Sequence, residues 1–145
     1  MESDLKSKWN IRVGFTCGAF DLLHAGHIMM FKEARSVCDY LVVGLQTDPS
    51  IDRPDKNSPT QSLEERLIQL MAVKHVDEVR TYATEDDLVQ LLIKLKPDVR
   101  IIGEDHKGKG FTGQELPIEI YFNSRDHGYS TSELRERIIL GKNNS

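Results

Sequence analysis

The residues best suited to chemistry are His24-Ala25-Gly26-His27, at the head of an amphipathic run. Two imidazoles at this spacing can donate hydrogen bonds to anionic oxygens. Gly26 between them lets a backbone or ligand approach closely. A helix starting here offers unpaired N–H groups and positive potential, which suit phosphate. The same pair also fits plain surface histidines or zinc ligands. A zinc site needs further ligands at suitable spacing, and His75, His106 and His127 form no such cluster. A second anion-binding stretch is Ser130-Thr131-Ser132. Its N–H and hydroxyl groups can meet phosphate oxygens at a helix start, or Ser130 can serve as a simple cap. Arg125 follows a strand and can grip a phosphate bidentately. The first turn lacks G-x-G-x-x-G, which disfavours an ordinary dinucleotide-binding site.

Alternating short and long apolar runs must position these residues. Ile11–Thr16 reads as a first strand, and His27–Val37 as a helix with Ile28, Phe31, Ala34 and Arg35 at helical spacing. The apolar run Tyr40–Leu45 reads as a strand buried on both faces. Residues 46–61, with Pro49, Pro54 and Pro59, form a loop. Ser62-x-x-Glu65 is a capping box opening a helix to about Val73, with Leu63, Leu67, Leu70 and Met71 on one face. Glu78–Tyr82 is a strand. Glu85 to about Leu95 is a helix whose charges suit its dipole, and Pro97 stops it. Val99–Gly103 and Ile118–Phe122 are strands separated by a long polar loop from Glu104 to Leu116. Ser130-x-x-Glu133 opens a last helix to about Leu140. This alternation predicts an α/β, Rossmann-like, doubly wound parallel sheet of five strands with helices on both faces. Ligands of such sheets bind beyond the carboxyl ends of the strands, where strand order reverses. The segments 17–26, 46–61, 104–115 and 123–130 are therefore the ones to watch.

The length of 145 residues suits a single domain, with polar termini at 1–10 and 141–145. The formal net charge of −4 argues against a nucleic-acid partner. Two cysteines, Cys17 and Cys38, make no disulfide framework and fit a reducing cytoplasm. No apolar run reaches the ~18–20 residues needed to span a bilayer, and the N-terminus lacks a signal peptide's apolar region.

The segment Gly18-Ala19-Phe20-Asp21-Leu22-Leu23-His24-Ala25-Gly26-His27 resembles the HxGH signature of the nucleotidyltransferase superfamily. The wider pattern is similar to its cytidylyltransferase branch, in particular the glycerol-3-phosphate cytidylyltransferases. Gly128 to Arg135 resembles that branch's closing Ser/Thr-rich turn. Glu64-Glu65-Arg66 and Val76-Asp77-Glu78-Val79 are further matches in order.

The resemblance implies transfer of a cytidylyl group from CTP to a small phosphorylated alcohol, glycerol 3-phosphate first among them, with release of pyrophosphate. His24, His27 and Arg125 would act on the reacting phosphates. Gly18, Ala19, Phe20, Asp21, Gly26, Asp105, Ser130, Thr131 and Ser132 would bind the nucleotide, with Asp105 accepting from the base's exocyclic amine. Cytosine and adenine both carry that amine, so ATP remains an alternative, with a sugar phosphate or flavin mononucleotide as acceptor. Arg66 would reach the acceptor phosphate, or lie as a solvated helix-face arginine. The glycerol-phosphate enzymes carry a lysine pair before that helix, where this chain has Arg53 and Lys56 as its closest basic residues. Lys56 is therefore an acceptor-binding candidate. Mg²⁺ would accompany the triphosphate, and a homodimer is expected. A nucleotide-binding protein without turnover is the reading from another class.

Overall fold

The structure is a computed structural model and describes residues 10–56, 58–124 and 127–144. Among the described residues five strands form one sheet: β1 (Val13–Gly18), β2 (Tyr40–Gln46), β3 (Glu78–Tyr82), β4 (Val99–Gly103) and β5 (Glu119–Asn123). Between and after them run α1 (Ala25–Arg35), α2 (Leu63–Met71), α3 (Glu85–Leu95) and α4 (Thr131–Asn144). A single 3₁₀ turn, Glu104–His106, follows β4. The sheet order is β3-β2-β1-β4-β5, and all pairings are parallel. Strand β1 lies centrally, paired with β2 from Val13↔Tyr40 to Gly18↔Leu45 and with β4 at Phe15↔Arg100. Strand order reverses there, so the crevice lies beyond β1 and β4.

Period-two alternation assigns the two faces. Leu41, Val43 and Leu45 pack with Phe31 and Ala34 of α1 and Leu70 of α2. Val13, Phe15 and Val42 pack on the other side with Leu88, Leu92 and Leu95 of α3. Side chains and the segment after α1 press onto the sheet at two positions that carry no side chain. A Cβ at Gly14 would stand 2.6 Å from Cys38 Sγ, and one at Gly44 would stand 2.7 Å from the Phe15 ring.

Several boundaries differ from expectation. Strand β1 starts at Val13 and helix α1 at Ala25, ending at Arg35. Met71 is 69% exposed, because it lies about 100° round the helix from Leu70. Helix α4 continues through Gly141 to Asn144 rather than stopping near Leu140. Helices α2 and α3 open on the capping residues Ser62 and Thr84. No helix among the described residues is long and apolar enough to cross a membrane.

Candidate active site

The two signature histidines build the start of their own helix. His24 is the N-cap of α1, and its Nδ1 accepts a hydrogen bond from Gly26 N at 3.0 Å. His27 Nδ1 in turn accepts from His24 N at 3.2 Å. This is a capping box in which imidazole nitrogens replace the usual hydroxyl and carboxylate. It also fixes tautomers. With Nδ1 accepting in each neutral ring, the proton resides on Nε2, and both rings become donors at that atom. The rings lie 4.1 Å apart between centroids. Burial, with the charge of His127 as the second cause, holds His24 below its ordinary value of 6.5. Gly26 permits the arrangement, since a Cβ there would stand 2.8 Å from His24 Cε1.

The turn before α1 is held in an uncommon conformation. Phe20 and Leu22 have φ of 49° and 52°. Such left-handed residues cost about 1–3 kcal/mol each and persist where the surroundings enforce them. The Phe20 ring stands edge-on to His27 at 5.6 Å and against Phe31 at 5.2 Å. Leu22 N donates to Gln61 Oε1 at 2.8 Å. Asp21 accepts from Thr60 N, Gln61 N and Arg135 Nη2, at 2.7, 2.9 and 2.9 Å. Burial raises the Asp21 carboxyl. The Gln61 and Thr60 hydrogen bonds and the Arg135 charge outweigh that effect and hold it below its ordinary value. Asp21 thus ties the β1–α1 turn to the 46–61 loop and to α4.

Arg66 is placed differently from the acceptor-binding expectation. Its side chain is 2% exposed and does not line the cleft. The guanidinium donates to four backbone carbonyls: Gln61, Ala19, Gln46 and Thr47. It holds the loop ends after β1 and β2 together from beneath.

The N-terminus of α4 closes the site opposite α1. Ser130 Oγ accepts from Glu133 N at 3.1 Å, so it caps the helix. Thr131 Oγ1 lies 3.1 Å from His24 Nε2. Two helix N-termini therefore face one another. Between and beyond them lies a cleft of about 510 Å³. Gly18, Ala19, Phe20, Gly26, Ser130 and Thr131 line it with the two histidines, as does Lys56. Ser132 and Asp105 are exposed and are not part of the lining. Asp21 is set behind the wall, as a clamp. Arg125 lies outside the described residues, as does Asp126. Among the described residues no group of three or more His, Cys, Asp or Glu is arranged to hold a metal ion.

The other end of the cleft, on the α3 side of the sheet, holds residues that the motifs do not mark. Arg100 on β4 is 5% exposed, lines the cleft and lies under the Phe111 ring at 5.2 Å. The available signal was a charged residue within an otherwise apolar central strand, where burial is expected on both faces.

Comparison with known proteins agrees with this fold. The profile of the family described as cytidylyltransferase-like matches residues 15–137. A bifunctional protein HldE of Campylobacter concisus is 38% identical over 144 residues, which is 99% of this chain and 30% of that protein. The HldE protein of Helicobacter hepaticus is 36% identical over 95% of this chain and 29% of its own length. The chain thus spans about 30% of the curated relatives it matches. A solved structure, the lipopolysaccharide core biosynthesis protein of Thermoplasma volcanium, superposes with a TM-score of 0.67 at 29% identity, covering 83% of this chain and 99% of that one. Pantothenate synthetase of Thermus thermophilus shares the fold, with a TM-score of 0.58 at 15% identity over 94% of this chain and 68% of that one. Matching the family profile along most of its length, and carrying the paired histidines at the mouth of a parallel sheet, this chain belongs to the cytidylyltransferase-like family of the nucleotidyltransferase superfamily.

Proposed function

We propose that this protein transfers an adenylyl group from ATP to a small sugar phosphate and releases pyrophosphate. The observation that carries the transfer reaction is the facing pair of helix N-termini, with His24 and Thr131 in contact across the cleft. A polyphosphate entering there exchanges the His24–Thr131 hydrogen bond for its own contacts with the Nε2–H donors and with the N–H and hydroxyl groups of α4. The acceptor's phosphate oxygen forms a bond to the α-phosphorus. The bond to the α–β bridging oxygen breaks, and its electron pair leaves with pyrophosphate. The acceptor is already an anion near neutral pH, so no side chain has to remove a proton. Catalysis is positioning and charge stabilisation.

The sugar phosphate is supported by the company the chain keeps. The structural neighbour at 29% identity is a lipopolysaccharide core biosynthesis protein, which points to sugar chemistry. The absence of a lysine pair before α2 removes a feature of the glycerol-phosphate enzymes. ATP is the nucleotide that the resemblance pairs with a sugar-phosphate acceptor. The second reading, CTP with glycerol 3-phosphate, is favoured by the cytidylyltransferase-like family match. Mg²⁺ enters with the triphosphate as part of the substrate. A homodimer carries over from the resemblance, and a reducing compartment fits the free thiols of Cys17 and Cys38.

The test is pyrophosphate release from ATP and CTP, each crossed with sugar 1-phosphates and glycerol 3-phosphate. Turnover with ATP and a sugar phosphate is expected. Turnover only with CTP and glycerol 3-phosphate would replace this reading by the second. No pyrophosphate with any pair would leave a binding protein.

A further inference from the structure

Among the described residues two arginines are buried, and they differ in what surrounds them. Arg66 is saturated by four carbonyls. Arg100 is nearly as buried, at 5% exposure, yet one Nη donates to Thr112 O and the other reaches only Cys17 Sγ at 3.8 Å. Its Nε is buried and has no hydrogen-bond partner among the described residues. No carboxylate among them lies within ion-pair distance of Arg100. Cys17 and Tyr82, beside it, are neutral. Burial pushes the Cys17 thiol up, and burial likewise raises Tyr82. Glu85, which also lines this end, is paired with Arg53 at 3.2 Å.

A guanidinium is always charged, and a buried charge without a partner is strongly unfavourable unless a ligand compensates it. The surroundings hold Arg100 in place rather than neutralise it. The Phe111 ring covers one face of the guanidinium, and the Thr112 carbonyl anchors one edge. Gly113, at φ +84°, leaves room for it, since a Cβ there would stand 3.0 Å from Arg100 Nη1. The side chain lines the cleft on the opposite face of the sheet from the histidines. In the proposed reaction the acceptor enters in line with the leaving pyrophosphate; with pyrophosphate held at α4, the end of the cleft left for it is the one that Arg100 lines.

We infer that Arg100 receives the phosphate of the acceptor, a dianionic phosphomonoester, and supplies the cation that Arg66 does not. The word acceptor rests on the nucleotidyl-transfer reading; the phosphate contact does not. The test is a titration of the full chain, ¹⁵N-labelled at arginine, with inorganic phosphate. The Arg100 Nε–H resonance is assigned by through-bond correlation in the wild type, so no variant is needed for it. A saturable shift of that resonance is expected, and it persists in His24→Ala with affinity within about twofold. An unmoved Arg100 resonance overturns the inference. So does a shift that vanishes in His24→Ala, because phosphate would then sit at the histidines. In turnover, Arg100→Lys keeps the charge and loses the planar fork. It should raise the acceptor KM at least about tenfold and leave nucleotide affinity within about twofold. An unchanged acceptor KM, or an equal loss of nucleotide affinity, overturns it. If no nucleotide and acceptor pair turns over while the Arg100 resonance still shifts, the transfer reading fails and the phosphate site stands.

Discussion

His24 Nε2 and Thr131 Oγ1 meet at 3.1 Å although 107 positions separate them in the chain. The contact joins the first turn of α1 to the first turn of α4. Removing either partner opens the proposed phosphate-binding wall without touching the core. His24→Ala and His27→Ala should each lower kcat by about 10²–10³-fold, the usual loss of a donor aimed at developing charge. Pyrophosphate release under saturating substrates measures this. A loss confined to KM would show that the rings only bind.

Gly26→Ala probes the same wall from beneath. The added Cβ would press on the His24 ring at 2.8 Å and on His127 at 3.1 Å. The ring must turn, and a misplacement of this kind costs about 10²-fold in turnover. Circular dichroism should show the helices intact. Activity near wild type would mean that the His24 ring orientation does not matter.

Arg66→Met distinguishes scaffold from substrate binding. Four carbonyls lose a charged donor inside the protein. Stability should fall by about 3 kcal/mol or more, read from the urea midpoint. The acceptor KM of the folded fraction should stay as it was. A stable variant with a raised acceptor KM would return Arg66 to the substrate.

The lowered pKa of His24 gives a pH signature. The unfolded chain takes up its proton near 6.5, and the folded ring does so only at lower pH. The stability tied to neutral His24 is therefore complete above 6.5 and declines as pH falls through the folded value. Thermal midpoints of the free protein from pH 7.5 to about 5 should fall more steeply for wild type than for His24→Ala. His75 is lowered as well, but it is present in both proteins, so the difference isolates His24. Parallel curves would contradict the assignment.

Much of this molecule was legible from residue order. The Ser62-x-x-Glu65 box, the acidic first turn of α3 and the apolar run of β2 each specify an element by local chemistry, and the elements formed as expected. The start of α1 was misplaced because histidine is not a usual capping residue, and only geometry shows Nδ1 doing that work. Arg66 was misread because its partners arrive from three separate turns, which no helix-face pattern contains. Arg100 went unmarked because its meaning depends on what does not surround it. Asp21 read as part of a nucleotide-binding motif, and its two backbone donors, Thr60 and Gln61, lie far along the chain.

The alternation along β1 bears on how the chain tolerates insertion. Cys17 turns toward Arg100, while the residues after Gly18 lead to the histidines on the opposite face. Slipping that strand by one residue would exchange the faces and carry both ends of the site to the wrong side. Gly14 under Cys38 and Gly44 under Phe15 oppose such a slip. An extra residue within 13–18 should therefore abolish both halves together. An extra residue in the exposed stretch 51–56 would shift Arg53 and Lys56 at the rim of the cleft and leave the strand register, and with it the two histidines and Arg100, in frame.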